Sequence, residues 1–181
     1  PASYWYKTTK TAPGQGVLFA EEQRDELPLV NALREDIKRW RASNYEGATN
    51  ITKDLLRHWW REDRYLRLFF CQLEAAETII FLMEIRRAGK HVRFTPKFTD
   101  VDLPKLVDVP LEAGLLPLTR YGCKMATGSG KTVVMAMLIA WTMCNRGRVS
   151  GDERFPSAVL VACPNLTFKE RLQVLRSDHK D

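Results

Sequence analysis

The chain has 181 residues, of which 45% are hydrophobic, so it can form a packed core and is not wholly disordered. A formal net charge of +6 favours an anionic partner such as nucleic acid, although many basic proteins have none. The longest apolar run, Val133–Trp141, is too short to span a bilayer, and we therefore expect a soluble cytoplasmic protein. The four cysteines form no C-x-x-C pair, which argues against structural zinc and predicts buried free thiols.

Residues 1–66 are predicted to form an extended arm followed by a helical region. Pro28 precedes apolar residues at helical spacing, and proline is typical of the first turn of a helix. A turn-rich break at 43–50 leads to a second helix with apolar residues on one face. The simplest interpretation is a small helical unit. The alternative is that its arginines face DNA, and these are Arg57, Arg61 and Arg64.

A third helix is predicted from about Leu68 to Ala88, because Gly89 is a common residue after a helix C-terminus. Residues 89–118 contain several prolines and glycines without a clear period. We interpret them as a connector with one short strand at 92–94.

The last third of the chain predicts a strand, a loop, a helix and a second strand. The strands are expected at Tyr121–Met125 and Ala158–Cys163, and the second is a continuous apolar run typical of a buried parallel sheet. The helix is expected from Lys131 to about Asn145, closed by Gly147. Together these elements form a βαβ unit and predict an α/β fold.

The loop of this unit has the residues needed to hold nucleotide phosphates. Glycines let the backbone N–H groups turn inward, and the N-terminus of the following helix favours anions. Lys131 can reach the β- and γ-phosphates, and the hydroxyl of Thr132 can ligate Mg²⁺. The loop therefore predicts an ATP and Mg²⁺ site made of Thr127, Gly128, Ser129, Gly130, Lys131 and Thr132.

The string Met125–Thr132 resembles motif I of superfamily 2 DEAD/DEAH-type helicases, because Met125 stands where most phosphate loops have glycine. It is most similar to the restriction-enzyme branch, which includes the type III Res subunit and the type I R subunit. The resemblance implies that residues 67–181 begin a RecA-like P-loop domain, truncated here. It also implies an ATP-dependent DNA helicase or translocase of a restriction or phage-defence system, with Lys131 and Thr132 as catalytic residues.

The same resemblance assigns two further sets of residues. Gln72 is the candidate adenine reader, because an amide offers both a donor and an acceptor to the base edge. Thr167 and Glu170 have the spacing of a helix capping box, and their position after the second strand is similar to motif Ia. The implied nucleic-acid contacts are Pro164, Asn165, Thr167, Lys169 and Arg171.

The resemblance implies single- or double-stranded DNA as a partner, together with a second RecA-like lobe, nuclease or methyltransferase subunits, and no membrane. No Asp-Glu-x-His motif follows Cys163, so we expect this chain alone to be inactive as an ATPase. Asp100, Asp102 and Lys105 are interpreted as solvated charges of the connector and not as a nuclease. Two alternatives stay open, namely another P-loop ATPase or nucleotide kinase, and a nucleic-acid-binding module with a vestigial ATP site.

Overall fold

The structure is a computed structural model that describes residues 3–8, 21–86, 94, 121–162, 172 and 175. Two strands, β1 (Ser3–Thr8) and β2 (Glu21–Glu26), pair antiparallel with Ser3 opposite Glu26. Four α-helices and one π-helical turn follow in the described part of the chain. They are α1 (Pro28–Ala42), α2 (Asn50–Trp60), α3 (Phe70–Ile80), the π-helical turn (Phe81–Arg86) and α4 (Lys131–Arg148).

The helices predicted from apolar spacing are confirmed, with small changes at their ends. Helix α1 begins at Pro28 as predicted, and Thr49 caps α2 by accepting a hydrogen bond from the backbone N–H of Thr52. The predicted third helix is α3, which continues into the π-helical turn. Helix α4 extends to Arg148, so Gly147 lies inside the helix and does not close it.

The predicted α/β fold with a parallel sheet is wrong, and with it the RecA-like architecture. Residues 121–126 and 158–162 form no strand, and the strands in the described part of the chain belong to the N-terminal antiparallel hairpin alone. A strand needs a hydrogen-bonded neighbour, and among the described residues these segments pair with none. Leu160 is 92% exposed, whereas a central strand of a parallel sheet would bury it.

The predicted connector and its short strand fall mostly outside the described residues. The exception is Phe94, which is not in a strand and whose ring packs edge-on against Phe81.

The helices share one apolar core. It contains residues from before and from after the domain boundary that was predicted between residues 66 and 67. Its largest fully buried apolar members are Trp40, Trp141, Phe81, Phe155, Ile37, Leu56 and Ile80.

One buried carboxylate, that of Glu77 on α3, joins three elements. Its oxygens accept two hydrogen bonds from the guanidinium of Arg41, one from the hydroxyl of Tyr45 at 2.6 Å and one from the indole of Trp60 at 2.8 Å. Burial and the hydrogen bond to Glu77 raise the pKa of Tyr45, so the phenol stays protonated and donates. This network fixes α3 against α1 and α2.

A second buried carboxylate, that of Glu84 in the π-helical turn, fixes α4. It accepts hydrogen bonds from the hydroxyl of Thr52 at 2.7 Å and from the indole of Trp141 at 3.0 Å. The side-chain amide of Asn145 adds a hydrogen bond to Thr52 at 3.1 Å. The middle of α4 is therefore held by polar contacts as well as by apolar packing.

Across the described residues, no helix has the length and apolar character needed to cross a bilayer.

The thiols of Cys71, Cys123 and Cys144 are free and exposed, so the prediction of buried thiols is wrong for these three. They lie on helix faces or in loop segments that the core does not cover. Within the same part of the chain, no group of three or more metal-ligating side chains occurs.

Candidate functional site

The glycine-rich loop turns sharply into the start of α4. Gly128 and Gly130 have φ values of 79° and 81°, in the left-handed region that favours glycine. Gly130 is the residue that caps α4, an 18-residue helix with no acidic residue in its first turn. The loop thus leads directly into a helix N-terminus, where unpaired N–H groups and the helix dipole favour an anion.

The carbonyl of Ala126 organises the loop from inside. It accepts hydrogen bonds from the hydroxyl of Ser129 at 2.7 Å and from the ammonium of Lys131 at 2.8 Å. Both contacts are solvent-exposed, so they contribute little stability and can be exchanged for a stronger partner. A phosphate oxygen is such a partner, because its negative charge makes the bond from the neutral Ser129 hydroxyl charge-assisted and adds an opposite charge for the Lys131 ammonium.

The remaining predicted phosphate-site residues also lie at the loop. Thr127 is exposed, and Thr132 is half-buried in the first turn of α4. The structure therefore brings residues 127–132 together at one helix end. The predicted nucleic-acid contacts Pro164, Asn165, Thr167, Lys169 and Arg171 lie outside the described residues.

Gln72, predicted to read adenine, lies against the loop. Its amide nitrogen donates a hydrogen bond to the carbonyl of Ser129 at 3.0 Å, and its amide oxygen accepts one from the backbone N–H of Phe69 at 2.9 Å. The second contact is the reciprocal half of a capping box at the start of α3. Local sequence showed neither partner of Gln72, and its adenine reading stays a prediction.

The arginines proposed to face DNA have partners within the protein. Arg57 contacts Asp54 and Asn44, Arg61 contacts Asp63, and Arg64 donates to backbone carbonyls. These contacts are exposed and weak. The simpler interpretation of a helical packing unit explains them without DNA.

An apolar groove of about 460 Å³ lies beside the second half of α4. It is lined by Ile139, Met143, Val159, Val161, Leu172 and Leu175. None of these belongs to the loop at residues 126–132. The groove offers few polar groups and is not a continuation of the loop site.

The chain matches no protein family, no curated protein and no solved structure.

Replacing Gly130 with alanine is expected to disturb the loop more than replacing Gly128. Both positions have positive φ, so both alanines carry a similar backbone strain of about 1 kcal/mol. A Cβ at Gly130 would lie 2.1 Å from the amide nitrogen of Gln72, whereas a Cβ at Gly128 would meet nothing within 4 Å. Gly130→Ala should therefore lower the free energy of unfolding by roughly 1 kcal/mol more than Gly128→Ala. Urea denaturation of both variants measures the difference, and equal losses would contradict the close packing of Gln72 on Gly130.

Proposed function

We propose that this chain binds ATP with Mg²⁺ at the loop formed by residues 126–132. The observation that carries the proposal is the loop itself, with two left-handed glycines leading into the N-terminus of α4. Backbone N–H groups of the loop and the ammonium of Lys131 bind the phosphates, and the hydroxyl of Thr132 completes the Mg²⁺ shell. The anchoring of the loop to α3 through Gln72 supports a preformed site.

The charge distribution supports an anionic ligand. No aspartate or glutamate occurs from Ala113 to Gly151, whereas that stretch contains five cationic side chains. They are Arg120, Lys124, Lys131, Arg146 and Arg148. A phosphate group approaching the loop therefore meets little local repulsion.

We further propose that the ATP site belongs to an ATP-dependent DNA helicase or translocase of a restriction or phage-defence system, acting in the cytoplasm. The support is the string Met125–Thr132 and its resemblance to motif I of superfamily 2 helicases. The proposal depends on this motif and not on a RecA-like fold. Residues Lys169 and Arg171 are the proposed DNA phosphate contacts, since both are cations close to a predicted helix start.

Titration of the 181-residue chain with MgATP, followed by amide NMR, tests the ATP site. We expect the resonances of residues 126–134 to shift on saturation, with steady-state hydrolysis absent because no Asp-Glu pair follows Cys163. Unchanged loop resonances at millimolar MgATP would contradict ATP binding. Steady hydrolysis of ATP by the chain alone would contradict the expectation that the acidic residues needed for hydrolysis lie outside these 181 residues.

The DNA assignment has a separate test. Fluorescence anisotropy with a labelled oligonucleotide should detect binding that weakens as salt rises. The double variant Lys169→Ala/Arg171→Ala should reduce the affinity, and the matched variant Lys7→Ala/Lys10→Ala removes the same charge elsewhere. Equal losses in the two variants would indicate non-specific attraction, and ATP binding without any DNA binding would favour a nucleotide kinase or another P-loop ATPase.

A further inference from the structure

The side chain of Gln72 is fixed at both ends of its amide. The amide oxygen accepts a hydrogen bond from the backbone N–H of Phe69, and the amide nitrogen donates one to the carbonyl of Ser129. Ser129 lies 57 residues after Gln72 in the chain. Gln72 is 5% exposed, so the protein covers the remaining lone pair and the second N–H of the amide. A base placed beside the loop reaches neither without a rearrangement of this side chain.

The contact with Ser129 has a consequence for the neighbouring peptide unit. The carbonyl of Ser129 and the N–H of Gly130 belong to the same peptide plane, and the described backbone has no cis peptide bond. In a trans peptide these two groups point in opposite directions. By holding the carbonyl on the α3 side, Gln72 turns the N–H of Gly130 away from α3 and towards the open side of the loop.

Close packing reinforces this orientation. Because a Cβ on Gly130 would lie 2.1 Å from the amide nitrogen of Gln72, the two residues are in direct contact. Glycine at position 130 thus allows the positive φ of 81° and also leaves room for the amide. Because both ends of the Gln72 amide are bonded to the protein backbone and the side chain is buried, the amide offers no hydrogen bond to the base of a bound nucleotide.

We propose that Gln72 is a positioning residue that sets the direction of the Gly130 N–H, and that it supports the binding of the phosphates of a nucleoside triphosphate without reading the base. This inference rests on the proposed triphosphate site. It separates Gln72 from base recognition and assigns it to the phosphate end of the ligand.

Binding of three probes to the full chain tests the proposal, namely MgATP, MgGTP and magnesium tripolyphosphate. Gln72→Glu keeps an acceptor for the Phe69 N–H but removes the donor to Ser129, and Gln72→Ala removes both contacts. Since one hydrogen bond is worth about 1 kcal/mol, Gln72→Ala should weaken the binding of all three probes by a factor of about five to ten, and Gln72→Glu by at least as much because its carboxylate also repels the phosphates. Cys71→Ala, an exposed neighbour on α3, is the matched control and should stay within about twofold.

Amide NMR of the ligand-free variants gives a second readout, independent of binding. The Gly130 amide resonance should move in Gln72→Glu, while the amides of α1 and α2 stay in place. Weaker MgATP binding with unchanged tripolyphosphate binding would overturn the proposal and make Gln72 a base reader. A Gly130 resonance that does not move, or unfolding of both variants, would also overturn it. If the wild-type chain binds no probe but the Gly130 resonance moves, the triphosphate site fails and the positioning role stands.

Discussion

Replacing Lys131 with alanine is expected to weaken MgATP binding by about 100-fold. The ammonium of Lys131 lies at the exposed loop, where it donates a hydrogen bond to the carbonyl of Ala126 at 2.8 Å. In the complex the ammonium faces the anionic phosphates, and hydrogen bonds to charged groups are worth about 1.5–3 kcal/mol, which alanine removes. Isothermal titration calorimetry with MgATP measures the loss.

Lys124→Ala is the matched control for Lys131→Ala, because it removes the same charge two residues before the loop. It should change the affinity by no more than about threefold, since exposed charges outside a site act weakly through water. Thermal melting should show both variants folded, as Lys131 is exposed. If the two variants lose comparable affinity for MgATP, Lys131 acts through long-range electrostatic attraction, and a direct contact between its ammonium and phosphate is contradicted.

Replacing Glu77 with alanine is expected to lower the free energy of unfolding by about 3 kcal/mol. The carboxylate has no exposed surface and accepts hydrogen bonds from Arg41, Tyr45 and Trp60. Its removal leaves the hydroxyl of Tyr45 buried without this acceptor and the guanidinium of Arg41 without its counter-charge. Breaking a buried ion pair from one side typically costs about 3–5 kcal/mol, and the partial exposure of Arg41 favours the lower figure. Urea denaturation measures the change.

Glu74→Ala on the same helix is the matched control for Glu77→Ala. Glu74 pairs with Arg34 at 2.7 Å, but the two side chains are 19% and 40% exposed. A pair of this kind contributes no more than about 1 kcal/mol. If the two variants lose equal stability, burial of Glu77 is not what makes its network important.

The helices could be predicted because their signals are local. Pro28 and the apolar period after it lie within one helix, and the same is true of the start of α4 at Lys131. Local signals could not decide whether the segments 121–125 and 158–163 form strands. A short apolar run suits a buried strand, but a strand exists only with a paired neighbour, and pairing is a long-range property.

The candidate site divides along the same line. Residues 127–132 are contiguous, and their glycines, lysine and threonine indicate a phosphate loop without knowledge of the fold. The contact between Gln72 and Ser129 joins positions 57 residues apart, and no local pattern shows it. The sequence singled out the glutamine through a family resemblance, and the structure adds the backbone partners that no local pattern shows.

The buried acids are the residues that the sequence missed. Glu77 and Glu84 lie in an apolar helical segment, where charged residues are rarely fully buried unless they are paired. Their partners come from other parts of the fold, for example Tyr45 from the turn between α1 and α2 and Trp141 from α4. In the sequence, an acidic residue surrounded by apolar residues in a predicted helix indicates a buried carboxylate. This pattern does not show which residue the carboxylate pairs with.

The polar contacts that hold the middle of α4 have a thermodynamic consequence for ligand binding. With Trp141 bonded to Glu84 and Asn145 bonded to Thr52, the helix is ordered before any ligand arrives. Ordering of the helix therefore adds little to the entropic cost of association, which comes from the translational and rotational freedom that the ligand loses and from the side chains of the loop and the first turn. Because little apolar surface is newly buried, the heat capacity of binding should change only slightly.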